Sequence, residues 1–134
     1  MRSNITLNMN YNFEKFKNVK GKFEDRITIT KSYSFGLPTQ FYEQNKIKGY
    51  KYAILFFDVV KDALAIHFSN DEQEKYRFKI NHHDKYGGSI SARSFFRTYG
   101  LEPTEIRGRY SWEKDRIEGV GEVFIVKLQK QNNG

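Results

Sequence analysis

Residues 27–47 read ITITKSYSFGLPTQFYEQNKI, and this stretch decides the predicted fold. Isoleucine alternates with threonine over residues 27–30, a period of two that is typical of a half-buried strand. Residues 33–37 continue or follow that strand after a bend. Pro38 then permits a helix to start, because its ring fixes φ and its missing N–H has no partner in a first helical turn. The residues that follow, 40–46, predict one short helix.

The chain after this helix predicts two more strands. Residues 50–57 are rich in aromatic and branched aliphatic side chains, which is typical of a strand buried on both faces. A turn over residues 58–62 leads into a strand over 63–68, so the two strands form a hairpin. Residues 27–68 therefore have the order strand, strand, short helix, strand, strand.

The same order is predicted a second time in residues 76–128. When the two segments are laid over each other, Phe41 corresponds to Phe95 and Ile47 corresponds to Leu101. One such unit cannot cover its own apolar face, whereas two units can close a barrel and leave no exposed strand edge.

The predicted fold is mainly β with two short helices, a closed β-barrel built from a duplicated strand-strand-helix-strand-strand unit. With 134 residues, the chain is predicted to form a single domain, residues 1–134. Its pseudo-repeats are 27–68 and 76–128, preceded by an N-terminal strand and a basic loop within residues 1–26. The sequence holds 12 Phe, 9 Tyr and one Trp, large rings that can fill a small core.

Composition excludes several classes of function. The chain has no Cys, which rules out disulfide scaffolds, cysteine nucleophiles and thiolate metal sites. The longest apolar run, residues 53–57, is far shorter than the roughly 20 residues that span a bilayer. The N-terminus also lacks the apolar run of a signal peptide. We therefore predict a soluble, cytoplasmic protein with no membrane partner.

Charge indicates the class of ligand. Lys and Arg number 23 against 16 Asp and Glu, which gives a formal net charge of +7. Such an excess favours polyanions, with nucleic acid ahead of an anionic membrane surface. Plain solubility is the alternative explanation, because many small domains carry a net charge of this size.

Residues 27–68 resemble a known structural unit. A strand that ends in Leu37–Pro38, a short helix, the turn Ile47–Gly49 and a final hairpin together resemble the swapped-hairpin unit of the AbrB/MraZ-type (cradle-loop barrel) superfamily. Residues 76–128 resemble it more faintly. The resemblance implies two tandem units in one chain and DNA binding. AbrB-type proteins dimerise by exchanging a hairpin; with both units in one chain, we predict a monomer or a weak homodimer.

Basic side chains and aromatic rings interleave after each predicted helix. Arg makes paired hydrogen bonds with phosphate through its planar guanidinium group, and Tyr can stack on an unpaired base. We predict that these residues share one face and form a nucleic-acid-binding site. The predicted site consists of Lys46, Lys48, Lys51, Arg93, Arg97, Arg107, Arg109 and Tyr110.

Other patterns give weaker indications of chemistry. His82, His83 and Asp84, with His67, have the side chains of a metal site, but neighbouring residues of a strand point to opposite faces. The Gly-rich loop over residues 85–89 leads into a strand, whereas phosphate-binding loops lead into a helix, so a tight turn is the simpler interpretation. No nucleophile-elbow motif occurs. We predict no cofactor, no metal and no enzymatic activity.

The predicted function is a non-catalytic nucleic-acid-binding protein that grips phosphates, with DNA favoured over RNA and a transcriptional regulator as its specific form. Two alternatives stay open. One is a protein-interaction module of the same barrel fold that binds no nucleic acid. The other is a small barrel enzyme that uses His82, His83 and Asp84. Binding to nucleic acid that weakens steeply with salt would distinguish the predicted function from the first alternative.

Overall fold

The computed structural model describes residues 12–15 and 25–130. Within them the chain forms nine strands, three short α-helices and two single turns of 3₁₀-helix, at Ile47–Gly49 and Asp84–Tyr86. The strands are β1 (Ile27–Thr30), β2 (Ser34–Leu37), β3 (Tyr52–Asp58), β4 (Ala63–Ser69), β5 (Phe78–His82), β6 (Gly88–Ser91), β7 (Gly108–Tyr110), β8 (Glu113–Ile117) and β9 (Gly121–Lys127). The helices are α1 (Thr39–Gln44), α2 (Arg93–Thr98) and α3 (Pro103–Ile106).

The strands form one antiparallel sheet in the order β7-β1-β2-β6-β5-β3-β4-β9-β8. The end strands β7 and β8 do not pair with each other, so the sheet of the described residues is an open half-barrel. The prediction of a closed β-barrel is therefore wrong. The predicted number of helices is also wrong, because residues 103–106 form a third.

The sheet is open where the chain passes from one end strand to the other. Tyr110 ends β7, which pairs with β1, and Glu113 begins β8, which pairs with β9. Between them, the ring of Trp112 packs edge-on against Phe41 and Phe124, with ring centroids 5.3 and 5.2 Å away. The chain turns here to place a large ring against the core, and each end strand makes its ladder with a different neighbour.

The same turn contacts both ends of the longer described segment. The indole Nε1 of Trp112 donates a hydrogen bond to the backbone oxygen of Asp25, 2.7 Å away. The hydroxyl of Tyr110 lies 2.9 Å from the backbone oxygen of Gln129, to which it can donate. Residues 25 and 129 therefore lie beside one short stretch of chain.

The core lies between the inner face of the sheet and the buried sides of α1 and α2. Buried and half-buried residues alternate along β1 and β4, as the period-two pattern predicts. Phe41 of α1 is fully buried, and its ring centroid lies 5.1 Å from that of Phe124. Phe35 of β2 stacks on Phe96 of α2 at 5.2 Å. Large rings from both helices therefore fill the core and fix the helices on the sheet.

Corresponding elements of the two predicted repeats pair with each other. β2 of the first repeat pairs with β6 of the second, and β4 pairs with β9. In addition, β3 of the first repeat pairs with β5 of the second, just as β7 of the second repeat pairs with β1 of the first. α1 follows β2 as α2 follows β6. An approximate two-fold relation between residues 27–68 and 76–128 would produce this pattern, although the duplication itself stays a prediction. The predicted N-terminal strand and most of the basic loop before residue 26 lie outside the described residues.

Candidate functional site

An open groove of about 930 Å³ lies between the C-terminal end of α1 and the loop that joins β5 to β6. β2 and β6 pair so that Leu37 lies opposite Gly88, which brings the start of α1 beside that loop. Three lysines, two carboxylates, a phenol and an imidazole share the groove. Its lining residues are Tyr42, Glu43, Lys46, Lys48, Gly49, His82, Asp84 and Lys85.

A chain of hydrogen bonds joins the two walls of this groove. Nε2 of His82 lies 2.9 Å from the backbone oxygen of Tyr50. Because a carbonyl oxygen only accepts, Nε2 carries the proton. In the neutral ring, Nδ1 then accepts a hydrogen bond from the Tyr42 hydroxyl, 2.6 Å away. Both ring nitrogens are thus engaged, and the imidazole is held in one orientation.

The Tyr42 phenol keeps its proton more firmly than an exposed tyrosine does. Burial raises the pKa of Tyr42 above its ordinary value of 10.0, and the nearby Asp84 carboxylate raises it further. Each effect disfavours the phenolate, burial by removing water from the charge and Asp84 by like-charge repulsion. Tyr42 is therefore a hydrogen-bond donor in the wall of the groove over the whole physiological pH range.

The loop at the other wall packs tightly against the start of α1. The Thr39 hydroxyl donates to the backbone oxygen of Lys85 at 3.1 Å. Within the loop, the His83 amide donates to the Gly87 oxygen at 2.8 Å, and the Tyr86 amide donates to the His83 oxygen at 3.0 Å. These bonds fix the backbone of Lys85 and Tyr86 from both sides, so their side chains project from a well-defined position.

Two residues of the predicted site, Lys46 and Lys48, line the groove together. Both are exposed, whereas Ile47 between them is fully buried in the core. Lys46 adopts a left-handed backbone conformation (φ 55°) that lets the chain turn directly into the 3₁₀ turn. The structure adds a third cation, Lys85, from a loop far along the chain.

A third residue of the predicted site, Lys51, has an acidic partner. Its Nζ donates to a carboxylate oxygen of Glu72 at 3.0 Å, and the Tyr52 hydroxyl donates to the other oxygen at 2.8 Å. The hydrogen bond that Lys51 donates to Glu72 raises the pKa of Lys51 and lowers the pKa of Glu72. Part of the charge that Lys51 would offer to a phosphate is therefore already compensated.

Two arginines of the predicted site, Arg93 and Arg97, lie on α2 and are exposed. The guanidinium carbon of Arg93 lies 4.4 Å from the ring centroid of Tyr33, which orients the side chain by a cation–π contact. The Tyr33 ring in turn packs edge-on against Phe96 at 5.8 Å.

The remaining residues of the predicted site lie around β7. Arg107 and Arg109 are exposed, and Arg109 lines a separate cavity of about 580 Å³ beside β9. Tyr110 is only 6% exposed, and its hydroxyl lies within hydrogen-bond distance of the backbone oxygens of Ile106 and Gln129. A ring buried in this way has no free face on which a base could stack.

The predicted basic residues fall into separate groups. Because β2 and β6 are antiparallel, α1 and α2 leave the pair at opposite ends. Lys46 and Lys48 follow α1, whereas Arg93 and Arg97 belong to α2. A strand of four residues is about 13 Å long. The groove is lined by Lys46 and Lys48 but by none of the predicted arginines, and the cavity beside β9 is lined by Arg109 but by none of the predicted lysines.

The histidines have structural partners and do not meet at a common centre. His83 Nε2 lies 3.0 Å from the Ser89 hydroxyl, whereas His82 contacts Tyr42 and Tyr50. His67 Nδ1 lies 2.8 Å from the backbone oxygen of residue 122. In the described part of the chain, no group of three His, Asp or Glu side chains could hold a metal ion.

Sequence reasoning missed one residue that lines this groove and one exposed residue that follows it in the chain. Lys85 lines the groove, and the adjacent Tyr86 is 81% exposed. Their signal in the sequence was a lysine–tyrosine pair next to two glycines, which we interpreted only as a turn. What brings Lys85 to Lys46 and Lys48 is the pairing of β2 with β6, a long-range contact that local patterns do not reveal.

No family model, curated protein or solved structure matches this chain. The resemblance to the AbrB/MraZ-type superfamily therefore stays a prediction from the residues that carry it. None of the helices in the described residues is long and apolar enough to cross a membrane.

Proposed function

We propose that this protein binds nucleic acid without catalysis and holds its phosphates at the groove beside α1. The observation that carries the proposal is that Lys46, Lys48 and Lys85, from two segments far apart in sequence, line one groove. The formal net charge of +7 supports it, since a cationic surface raises the local concentration of polyanions.

The carboxylates in the groove restrict the positions at which a phosphate can bind. Glu43 and Asp84 line it together with the three lysines, and Asp84 lies close enough to Tyr42 to raise the pKa of its phenol. A phosphate bound near Asp84 would be repelled, so the phosphodiester backbone is expected to follow the lysines. Arg93 and Arg97, at the other end of the β2–β6 pair, supply further positive charge for a longer strand.

We propose DNA rather than RNA as the ligand. We propose regulation of transcription as the process in which the protein acts. The protein acts as a monomer or weak homodimer in the cytoplasm. These statements follow from the charge and from the resemblance given above, and they depend on nucleic-acid binding being correct.

The decisive experiment is a salt titration of binding, measured by fluorescence anisotropy of labelled duplex and single-stranded DNA. We compare the natural protein with the double variant Lys46→Gln, Lys48→Gln. The slope of log K against log salt is negative, and each lost phosphate contact reduces its magnitude by about 0.7 to 0.9. The double variant is therefore expected to have a slope that is smaller in magnitude by about 1.4 to 1.8.

The matched control is the double variant Lys61→Gln, Lys127→Gln. These two exposed lysines line a different cavity of about 450 Å³, so the control removes the same charge away from the groove. It is expected to keep the natural slope. An equal loss of slope in both double variants would contradict the groove as the site. No binding at low salt would contradict the function and favour the protein-interaction module instead.

A further inference from the structure

We infer that the groove selects single-stranded over duplex nucleic acid, because Tyr86 stacks on an unpaired base while the neighbouring lysines hold the phosphates on either side. This inference rests on the proposed function and specifies its ligand.

Tyr86 is an exposed aromatic residue that adjoins one of the cations of the groove in the chain. Its side chain is 81% exposed, and it directly follows Lys85, which lines the groove. Most tyrosines of the described chain lie in strands or against other rings, as Tyr42 does against His82. An exposed ring beside lysines is the combination that binds single strands, since each base has a face that can stack.

The backbone of the loop that carries Tyr86 is held by hydrogen bonds within the protein. Three hydrogen bonds hold its backbone: Thr39 to Lys85, His83 to Gly87, and Tyr86 to His83. A ring on a fixed backbone loses less conformational freedom on binding than a ring on a loose loop does. The position of Tyr86 is thus suited to a repeated contact of defined geometry.

The two kinds of contact distinguish the two kinds of strand. Lysines contact phosphates, and phosphates are present in duplex and single-stranded DNA alike, so these contacts carry little selectivity. In a duplex the base faces are stacked on one another and are not available to Tyr86. The selectivity is therefore assigned to the ring, and the affinity common to both ligands is assigned to the lysines.

The chain offers a matched control for the ring. Tyr76 is 73% exposed and follows Lys75, as Tyr86 follows Lys85, but Lys75 does not line the groove, whereas Lys85 does. Lys75 Nζ even lies over the Tyr76 ring, 5.7 Å from its centroid. The pair Lys75–Tyr76 therefore has the same chemistry at another place on the surface.

The test compares Tyr86→Ala with Tyr76→Ala by anisotropy, using oligothymidylate of about 15 nucleotides and a duplex of about 15 base pairs. The natural protein is expected to bind the single strand about tenfold tighter than the duplex. Loss of one stacked base corresponds to about 5- to 160-fold weaker binding of the single strand in Tyr86→Ala, with duplex affinity unchanged. Tyr76→Ala is expected to bind both ligands as the natural protein does.

The outcomes separate this inference from the proposed function. If the duplex binds as tightly as the single strand, or if Tyr86→Ala and Tyr76→Ala behave alike, the inference is overturned while salt-dependent nucleic-acid binding stands. If neither DNA binds, or if only vesicles containing phosphatidylserine bind, the function and the inference both fail. Both tyrosines are exposed, so circular dichroism is expected to show natural folding in each variant.

Discussion

Gly87 is the residue on which the loop of the groove depends. Its φ is +85°, a conformation that residues with a side chain rarely adopt. A Cβ at this position would lie 2.1 Å from the backbone oxygen of Leu37, just before α1. Only a hydrogen atom fits between the loop and the start of the helix, so the closeness of the two walls requires glycine here.

At this scale we predict that Gly87→Ala lowers the free energy of unfolding by about 3 kcal/mol or more, through backbone strain and the clash with Leu37. The measurement is urea denaturation followed by circular dichroism. Gly49→Ala is the control, because a Cβ there meets no atom within 4 Å. Its expected change is within about 0.5 kcal/mol. If Gly87→Ala loses no more free energy of unfolding than Gly49→Ala does, the loop moves to relieve the clash and the prediction is wrong.

The sequence anticipated part of this residue-scale picture. The pair Gly87–Gly88 predicted a tight turn, and the chain does turn there. It did not indicate Leu37 as the neighbour, because that contact arises only when β2 and β6 pair. The sequence equally predicted an accessible Tyr110, whereas the ring is buried. Its position in a short strand did not reveal which face of the sheet it would occupy.

At the scale of elements, the hydrogen bond between Tyr42 and His82 joins α1 to β5. Burial and the Asp84 carboxylate raise the pKa of the Tyr42 phenol, so the folded chain holds this proton more tightly than the unfolded chain does. The stabilisation is complete below the ordinary tyrosine value of about 10 and is lost as pH rises through the folded pKa.

We therefore predict that the free energy of unfolding falls more steeply above about pH 10 in the natural protein than in Tyr42→Phe, which has no proton to lose at this position. Chemical denaturation at about pH 9, 10 and 11 measures the difference. Asp84→Asn is expected to give an intermediate slope, because it removes only the smaller cause. Identical slopes in the natural protein and Tyr42→Phe would contradict the assignment.

Local patterns predicted elements well where one face of a strand is buried. The alternation of Ile and Thr predicted β1 with its observed bounds. Residues 113–117 form β8, an end strand that is largely exposed and therefore has no apolar face for a local pattern to reveal. The helix α3, which the predicted two-helix fold did not include, begins at Pro103, a position that suits the missing N–H of proline.

At the scale of the whole molecule, the sequence predicted a β-rich fold but not its open sheet. Closure depends on whether the two end strands meet, and no periodicity in either strand contains that information. That all the predicted basic residues share one face stays a prediction. The sequence did not indicate the antiparallel pairing of β2 with β6, which directs α1 and α2 to opposite ends of the pair. Lys46 and Lys48, which lie close together in the sequence after the first predicted helix, do line the same groove.

The contacts of the turn at Tyr110 and Trp112 bear on whether the two halves of the chain can be connected in the opposite order. Because it contacts both Asp25 and Gln129, these two residues lie close together, and a connection between them can be short. We expect a circular permutant that joins Gly134 to Met1 and opens between Glu74 and Lys75, in an exposed turn, to unfold cooperatively with the natural far-ultraviolet spectrum. A permutant without a cooperative transition would show that the first half must precede the second, whereas success would make the two halves interchangeable in order.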